Sequence, residues 1–304
     1  MPHLGLVCIT VSKDIRYRTV TRTRLHAQSP ESQAKILEDI YRDNLQTLDG
    51  ALSYCERAGI ALYRLPSSIF PFADTREGLA ILQTLEASLT RTGRRALVSG
   101  IRLVMHPDQF VVLSSDSPDV VANSIRILQM HADIMDLLVQ PRTPWALLEI
   151  HGGKSNRADA LVKCIATLPD AIRCRLGLEN DEYAYSADEI HAICLRSGVP
   201  MVFDAHHHIV HEDLPSYEHP SVAEALRKAR ETWAEPAHQL VHISNGRSGF
   251  NDRQHADLIE SMPACYAEAP WIEIEAKAKE EAIDGLQTWL KTIKNSSFAT
   301  RKKE

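Results

Sequence analysis

Val202-Phe203-Asp204-Ala205-His206-His207-His208 is an apolar run that stops on a carboxylate and passes at once into three imidazoles. A strand ending this way brings a carboxylate, from its tip, and an imidazole, from the turn beyond, to one point. Both are ligands for Zn, Mn and Fe. The stretch reads either as part of a metal site or as a strand end with solvated histidines, and the rest of the chain decides between them.

Working outward, Leu4 to Ile9, Ile60 to Leu65, Ile101 to Met105, Trp145 to Ile150, Leu176 to Leu178, the run ending on Asp204, Leu240 to Ile243 and Trp271 to Ile274 read as eight short strands. Helical patterns separate them. Ser29-Pro30-Glu31 supplies an N-cap, a first-turn proline and an acid. Ile36, Leu37, Ile40, Leu45, Leu48 and Leu52 form the apolar face of that helix, and Gly59 ends it. A second helix runs through Leu79, Leu82, Leu85 and Leu89 and closes near Gly100, and Ser117-Pro118-Asp119 opens a third. Ser186-Ala187-Asp188-Glu189 and Ser221-Val222-Ala223-Glu224 both read as capping boxes, with Gly198 closing the first of these helices. A last helix from about Glu280 to Leu290 leads to a polar tail, 295–304, expected to be frayed. Eight strands in 304 residues is one strand-helix unit per about 38 residues. The pattern predicts a single α/β domain over 1–304, a (β/α)8 TIM barrel with its metal site at the C-terminal ends of the strands.

That organisation sets His106, His151, Glu179, Asp204, His242 and Glu275 at or within a residue of the ends of strands three to eight. Acids and imidazoles crowded on one rim would repel and resist burial without cations, and divalent ions would neutralise them. With an imidazole from the 206–208 run, three acids and four or more imidazoles exceed the four to six positions of one ion, so two or three ions are expected, with Glu179 as the bridging carboxylate. His206 and His208 flank His207 as pocket neighbours, and spacing alone leaves His255 open. His3, His26, His131, His191, His211, His219 and His238 show no partner in the pattern and read as ordinary surface or satisfied residues.

With 44% hydrophobic and 24% charged residues, the chain can bury a core and is not disordered. A net charge of −6 gives no global attraction to nucleic acid, so a polyanionic partner must meet local positive charge or metal. The loop Lys13 to Arg18, with Arg22 and Arg24 beyond it, is one such local source. Phe70-Pro71-Phe72 is expected to expose its aromatics. Six cysteines without C-x-x-C spacing read as free thiols in a reducing cytosol. The N-terminus lacks a signal-peptide pattern and no run of 18 apolar residues occurs, which predicts a cytoplasmic protein without a membrane partner.

Ordered along the chain are Leu4-Gly5, Tyr63-Arg64-Leu65-Pro66-Ser67-Ser68, Phe70-Pro71-Phe72, Met105-His106-Pro107-Asp108-Gln109-Phe110, His151-Gly152-Gly153-Lys154, Leu178-Glu179-Asn180-Asp181-Glu182, Phe203 to His208, Val241-His242 and Glu275-Ala276-Lys277-Ala278-Lys279-Glu280. In this set the chain resembles the UV DNA damage endonucleases, a family similar in architecture to endonuclease IV. The resemblance implies metal ligands at His106, His151, Glu179, Asp204, His207, His242, His255 and Glu275, with Glu179, His106 and His151 as the catalytic core. It thus selects His207 from the three imidazoles and promotes His255. It implies that Gln109 and Phe110 are the pair pushed into the duplex at the lesion, with Phe where other members carry Tyr. Thr75 stands where some members have His, and Leu240 where some have Lys. Arg16, Arg18, Lys154 and Lys277 are placed to meet phosphates.

The implied activity is metal-assisted hydrolysis of double-stranded, UV-damaged DNA immediately 5′ to a pyrimidine dimer or 6-4 photoproduct. Two or three divalent ions are expected, Mn²⁺ foremost with Zn²⁺ or Co²⁺ as substitutes, in a monomer that needs no nucleotide cofactor. Two other readings start from the same residues. A sugar isomerase or epimerase would need only Glu179, Asp204, His242 and Glu275 around one ion, and a non-catalytic damage-binding protein would need no ligands at all.

Overall fold

The computed structural model describes residues 1–107 and 110–288. Eight strands, β1 (His3–Val7), β2 (Leu62–Leu65), β3 (Arg102–Met105), β4 (Leu148–His151), β5 (Leu176–Glu179), β6 (Met201–Asp204), β7 (Leu240–Ile243) and β8 (Trp271–Ile274), form a closed parallel barrel in sequence order. β1 pairs with β8 to close it. The helical patterns form an outer layer, and helical turns run over 280–288 to the end of the described residues. The expected polar tail, 295–304, lies outside those residues.

Alternation along each strand divides the apolar residues into two groups. Tyr63, Leu103, Ile150, Leu178, Phe203, Val241 and Ile272 face outward and join the cluster packed under the helices. Leu62, Val104, Leu147, Val202, Leu240 and Trp271 face inward and form an apolar plug near the bottom of the barrel. Two residues further along the same strands come Arg64, His106, Glu149, Asp204, His242 and Glu273. The interior therefore changes from apolar to ionisable as it approaches the C-terminal mouth.

Local signals explain most helix boundaries. The Ser29 side chain accepts from Ser32 N, and Gly59 ends the helix Pro30–Ala58 with φ +66°, a left-handed conformation favourable to glycine. Ser186 and Glu189 form a reciprocal capping box. The second expected box does not form: Pro220 takes the first helical position of Pro220–Glu231, so His219 is the N-cap and its side chain accepts from Ser221 N. The long helix expected through Leu89 is two helices, Arg76–Thr84 and Glu86–Val98, meeting at Leu85. Trp145 belongs to a 3-10 turn before β4.

The Phe70 loop also departs from expectation. Phe70 is buried, edge-on to Tyr41 at 5.3 Å, and Phe72 is half-buried, because these rings cover the helix Pro30–Ala58. The basic loop contains a short helix, Arg22–His26. The six cysteines are free. No described helix is long and apolar enough to cross a membrane.

Candidate metal centre

Strand register brings the rim residues together. His151 is the direct neighbour of Glu179 across β4 and β5, and Asp204 of His242 across β6 and β7. Glu179, almost wholly buried, is the hub. Its Oε2 lies 3.1 Å from His106 Nε2 and 3.8 Å from His151 Nε2, and its Oε1 lies 2.9 Å from His242 Nδ1 and 3.5 Å from His207 Nδ1. Four ligand-sized groups result among the described residues: His106, His151 and Glu179; Glu179, Asp204 and His207; Asp204, His242 and Glu275; and, deeper, Glu149, His242 and Glu273. Within each, the donor atoms lie within 4.8 Å of one another.

Backbone contacts fix the donors in place. Asp204 caps the helix Ala205–His211 by accepting from His207 N at 2.8 Å, while Asn180 bonds both backbone polar groups of Asp204. His207 Nδ1 meets Asn180 O at 2.9 Å and His106 Nδ1 meets Pro107 O at 3.0 Å. An imidazole whose Nδ1–H is held by a carbonyl leaves Nε2 free to ligate. Gly152-Gly153 lets the chain turn away after His151: Gly153 has φ +81°, and a Cβ on Gly152 would lie 2.4 Å from the Tyr185 ring.

The three imidazoles of the 206–208 run separate by their partners. Both ring nitrogens of His206 are engaged, by Tyr217 Oη and Asp252 O, each at 2.8 Å. His208 Nε2 is 3.0 Å from Ser221 Oγ, outside the cluster. Only His207 joins it. His255 stands at the edge, in an isolated bridge with Gly246, its Nδ1 3.8 Å from Glu275 Oε2.

Several histidines read as partnerless have partners. His131 is buried between the carbonyls of Ile127 and Ser67, His211 meets Asp181 O at 3.0 Å, and His3 stacks on Trp271 at 4.3 Å. Apart from Ile127, one helical turn before His131, these partners are distant in sequence, which spacing does not reveal.

Three deeper ionisable residues escaped the rim argument. His242 Nε2, on the side away from Glu179, lies 2.7 Å from Glu149 Oε2 and 3.2 Å from Glu273 Oε2. Arg64 reaches Glu273 at 2.7 Å and Glu275 at 2.5 Å. The signal was present: Leu148-Glu149-Ile150 and Ile272-Glu273-Ile274 each set an acid in the middle of an apolar strand, two residues before a rim ligand.

Burial and mutual attraction set the charges. Burial opposes ionisation of Glu179, but His242, His151 and His106 outweigh it and hold its carboxyl well below the usual range. Burial likewise disfavours the His207 imidazolium, yet Asp204, Glu179 and Glu182 push it up to about 10. His242 is driven well above its ordinary value, against burial, by Glu179, Glu149 and Glu273. Burial, reinforced by Glu273, raises Glu149. Burial lowers His151.

This balance leaves polar atoms unpaired. Glu149 Oε1, Asp204 Oδ2, Glu273 Oε1 and His151 Nδ1 are buried without a hydrogen bond, and Glu149 Oε2 has only His242 Nε2 beside it. An unmet buried polar group costs about 1–3 kcal/mol, more when charged. A cluster of carboxylates and oriented imidazoles with lone pairs to spare fits divalent cations.

Thr75 and Leu240 are both engaged away from the cluster. Thr75 caps the helix Arg76–Thr84 and bonds Phe72 O, and Leu240 is buried in the apolar plug. On the rim, Phe110 is 67% exposed, and Gln109 lies outside the described residues. Arg18 is paired with Asp43 and Lys154 with Asp116, whereas Arg16 and Lys277 are exposed and meet no described acid at ion-pair distance.

Comparison with known proteins matches residues 2–300 to the model of the family described as UV-endonuclease UvdE. The chain is 53% identical to a UV DNA damage endonuclease of Nostoc sp., covering 95% of this chain and 90% of that one. It is 51% identical to one of Deinococcus radiodurans, with 94% and 95% covered. The solved structure of SacUVDE superposes with a TM-score of 0.82 at 25% identity, covering 97% of this chain and 99% of that one. This chain belongs to the UV-endonuclease UvdE family.

Proposed function

We propose that this chain is a metal-dependent DNA repair endonuclease that hydrolyses the phosphodiester immediately 5′ to cyclobutane pyrimidine dimers and 6-4 photoproducts, leaving a 3′-hydroxyl and a 5′-phosphate. It acts on double-stranded DNA as a single-domain cytoplasmic monomer without a nucleotide cofactor. The observation that carries the reading is the hub at Glu179, ringed by oriented imidazoles and by buried acids with unpaired oxygens.

His106, His151 and Glu179 would hold one ion, Glu179, Asp204 and His207 a second, and His242, Glu275 and His255 with Asp204 a third. Glu179 would thus be shared between ions, Mn²⁺ first. When bound, divalent ions supply Lewis acidity, lowering the pKa of water and offsetting charge on phosphate oxygens. The carbonyl of Pro107 holds His106 with Nε2 on Glu179, and the carbonyl of Asn180 fixes the His207 ring by its Nδ1. Arg64 restrains Glu275 from below. Gln109 and Phe110 would fill the gap at a lesion, where damaged bases stack poorly and cost less to displace. Arg16 and Lys277 are free to meet phosphates, and Arg18 and Lys154 would do so by leaving their acid partners.

The test is incubation of a UV-irradiated, end-labelled duplex with Mn²⁺, with and without chelator. The expected result is a nick beside the dimer that the chelator abolishes. Binding without a nick would favour a damage-binding protein, and ketose turnover with intact DNA would favour an isomerase. Family membership and the surplus of ligands over a one-ion sugar site weigh against both.

A further inference from the structure

Across the mouth from Phe110, the loops after β5 and β7 meet in a contact that the metal site does not use. The guanidinium of Arg253 lies 4.0 Å from the centre of the Tyr183 ring. Tyr183 is 62% exposed, and Arg253 is exposed and meets no described acid at ion-pair distance. An exposed cation–π contact is worth only about 0.5–1 kcal/mol. Folding alone therefore gives little reason to hold an aromatic ring and an uncompensated charge together in water.

Both side chains stand on braced loops. The Asp181 carboxylate accepts from Tyr183 N at 2.7 Å and from Ala184 N, and Asp181 N donates to Tyr185 O at 3.1 Å. On the other loop, the Asp252 carboxylate accepts from Ser248 N and Gln254 N, each at 3.0 Å. His206 Nε2 donates to Asp252 O, and Asn251 Nδ2 donates to Asp213 Oδ1 at 2.9 Å. The buried His206, left aside by the metal cluster, thus anchors the backbone next to Arg253. The Tyr183 loop begins at Glu179, and the Arg253 loop carries His255 two residues on.

Charge around the rim is uneven. Lys154 after β4 is neutralised by Asp116, but Arg16 after β1, Arg247 and Arg253 after β7, and Lys277 after β8 have no described acid at ion-pair distance. A protein of net charge −6 with a crowd of acids in its mouth attracts a polyanion through such local cations together with bound metal. A guanidinium over one face of a ring can still turn N–H groups to a phosphate, and the opposite ring face can take a base.

We propose that Tyr183 and Arg253 form a two-residue clamp for the substrate strand at the mouth of the metal site, Arg253 taking a backbone phosphate and the open face of Tyr183 taking a base. The clamp rests on the nuclease reading above and adds a second stacking surface beside that expected of Phe110. Its test measures nicking of UV-irradiated duplex with Mn²⁺ over a range of salt, and fluorescence anisotropy of irradiated and undamaged duplex in EDTA.

Arg253→Ala should raise KM about tenfold with kcat little changed, and should flatten the slope of log KM against log salt by about 0.9, because one phosphate is no longer neutralised by the protein. Tyr183→Leu should raise KM about tenfold without that change in slope, and Tyr183→Phe should recover most of the loss because the ring is kept. In EDTA both truncations should weaken binding by similar factors. KM and affinity within twofold of wild type for both truncations, with shifts only in melting temperature, would reduce the pair to a structural contact and overturn the clamp. A wild-type protein that binds but never nicks would end the nuclease reading instead, and the EDTA measurements would still decide on the clamp.

Discussion

Arg102 at the floor of the barrel and Glu149 near its mouth are both wholly buried charged residues in one interior, yet their surroundings differ in kind. Arg102 donates to the carbonyls of Trp145, His238 and Pro144 and lies among the rings of Trp145, Trp233 and Trp271 at 5.4 to 5.8 Å. Burial lowers it to about 10, so it stays protonated at neutral pH. Glu149 has one oxygen without a partner and the other only against the His242 imidazole at 2.7 Å, and Asp204 and Glu273 each leave one oxygen unpaired. The floor completes its charge with protein atoms and so serves the fold. The mouth leaves its charge open, which stability alone would select against and which a bound cation would complete.

Substitutions at the two ends should therefore fail differently. The largest expected effect is at the mouth: Glu179→Ala should reduce metal-dependent nicking to background and weaken metal binding, and in urea the metal-free variant should also lose stability at neutral pH, because His242, His151 and His106 lose the carboxylate they hold ionised. At the floor, Arg102→Met should cost about 3–5 kcal/mol in the same denaturation measurement, since three carbonyls are left without their donor. The metal affinity of its folded fraction should stay unchanged.

A smaller effect concerns protons. With His207 pushed up to about 10 in the metal-free protein, its stabilising contribution is complete below the unfolded value of about 6.5 and is lost as pH rises through about 10. Metal-free protein should melt progressively lower across that window, and Mn²⁺ binding at pH 7 should release protons, read by calorimetry in buffers of different ionisation enthalpy. A melting temperature flat over this range would remove the contrast between the two ends. The smallest effect is on the rim, where Phe110→Ala should raise KM on damaged duplex by up to about tenfold and leave the affinity for metal unchanged.

The fold was legible because strand and helix signals repeat with one period, and because rim ligands sit where apolar runs stop. Alternation along the strands explains what was missed. Glu149 and Glu273 lie inside apolar runs, where a reading focused on strand ends does not look, although an acid between two isoleucine or leucine neighbours marks an inward position. Spacing alone leaves His206, His207 and His208 equivalent; the family resemblance selects His207, and the helix that starts on Asp204 gives the physical reason. The Phe70 loop was misread because exposure depends on which helix covers it. The Tyr183–Arg253 contact joins residues 70 apart and carries no local signal.

The most direct measurement is titration of the metal-free protein with Mn²⁺, following bound equivalents by calorimetry and the melting temperature in parallel, for the wild type and Glu179→Ala. The expected result is two or three equivalents with a rise in melting temperature in the wild type, and loss of at least one equivalent and most of the rise in the variant. Binding of the same number of ions by both proteins, or no binding by the wild type, would contradict the assignment of the open charge at the mouth to a metal centre.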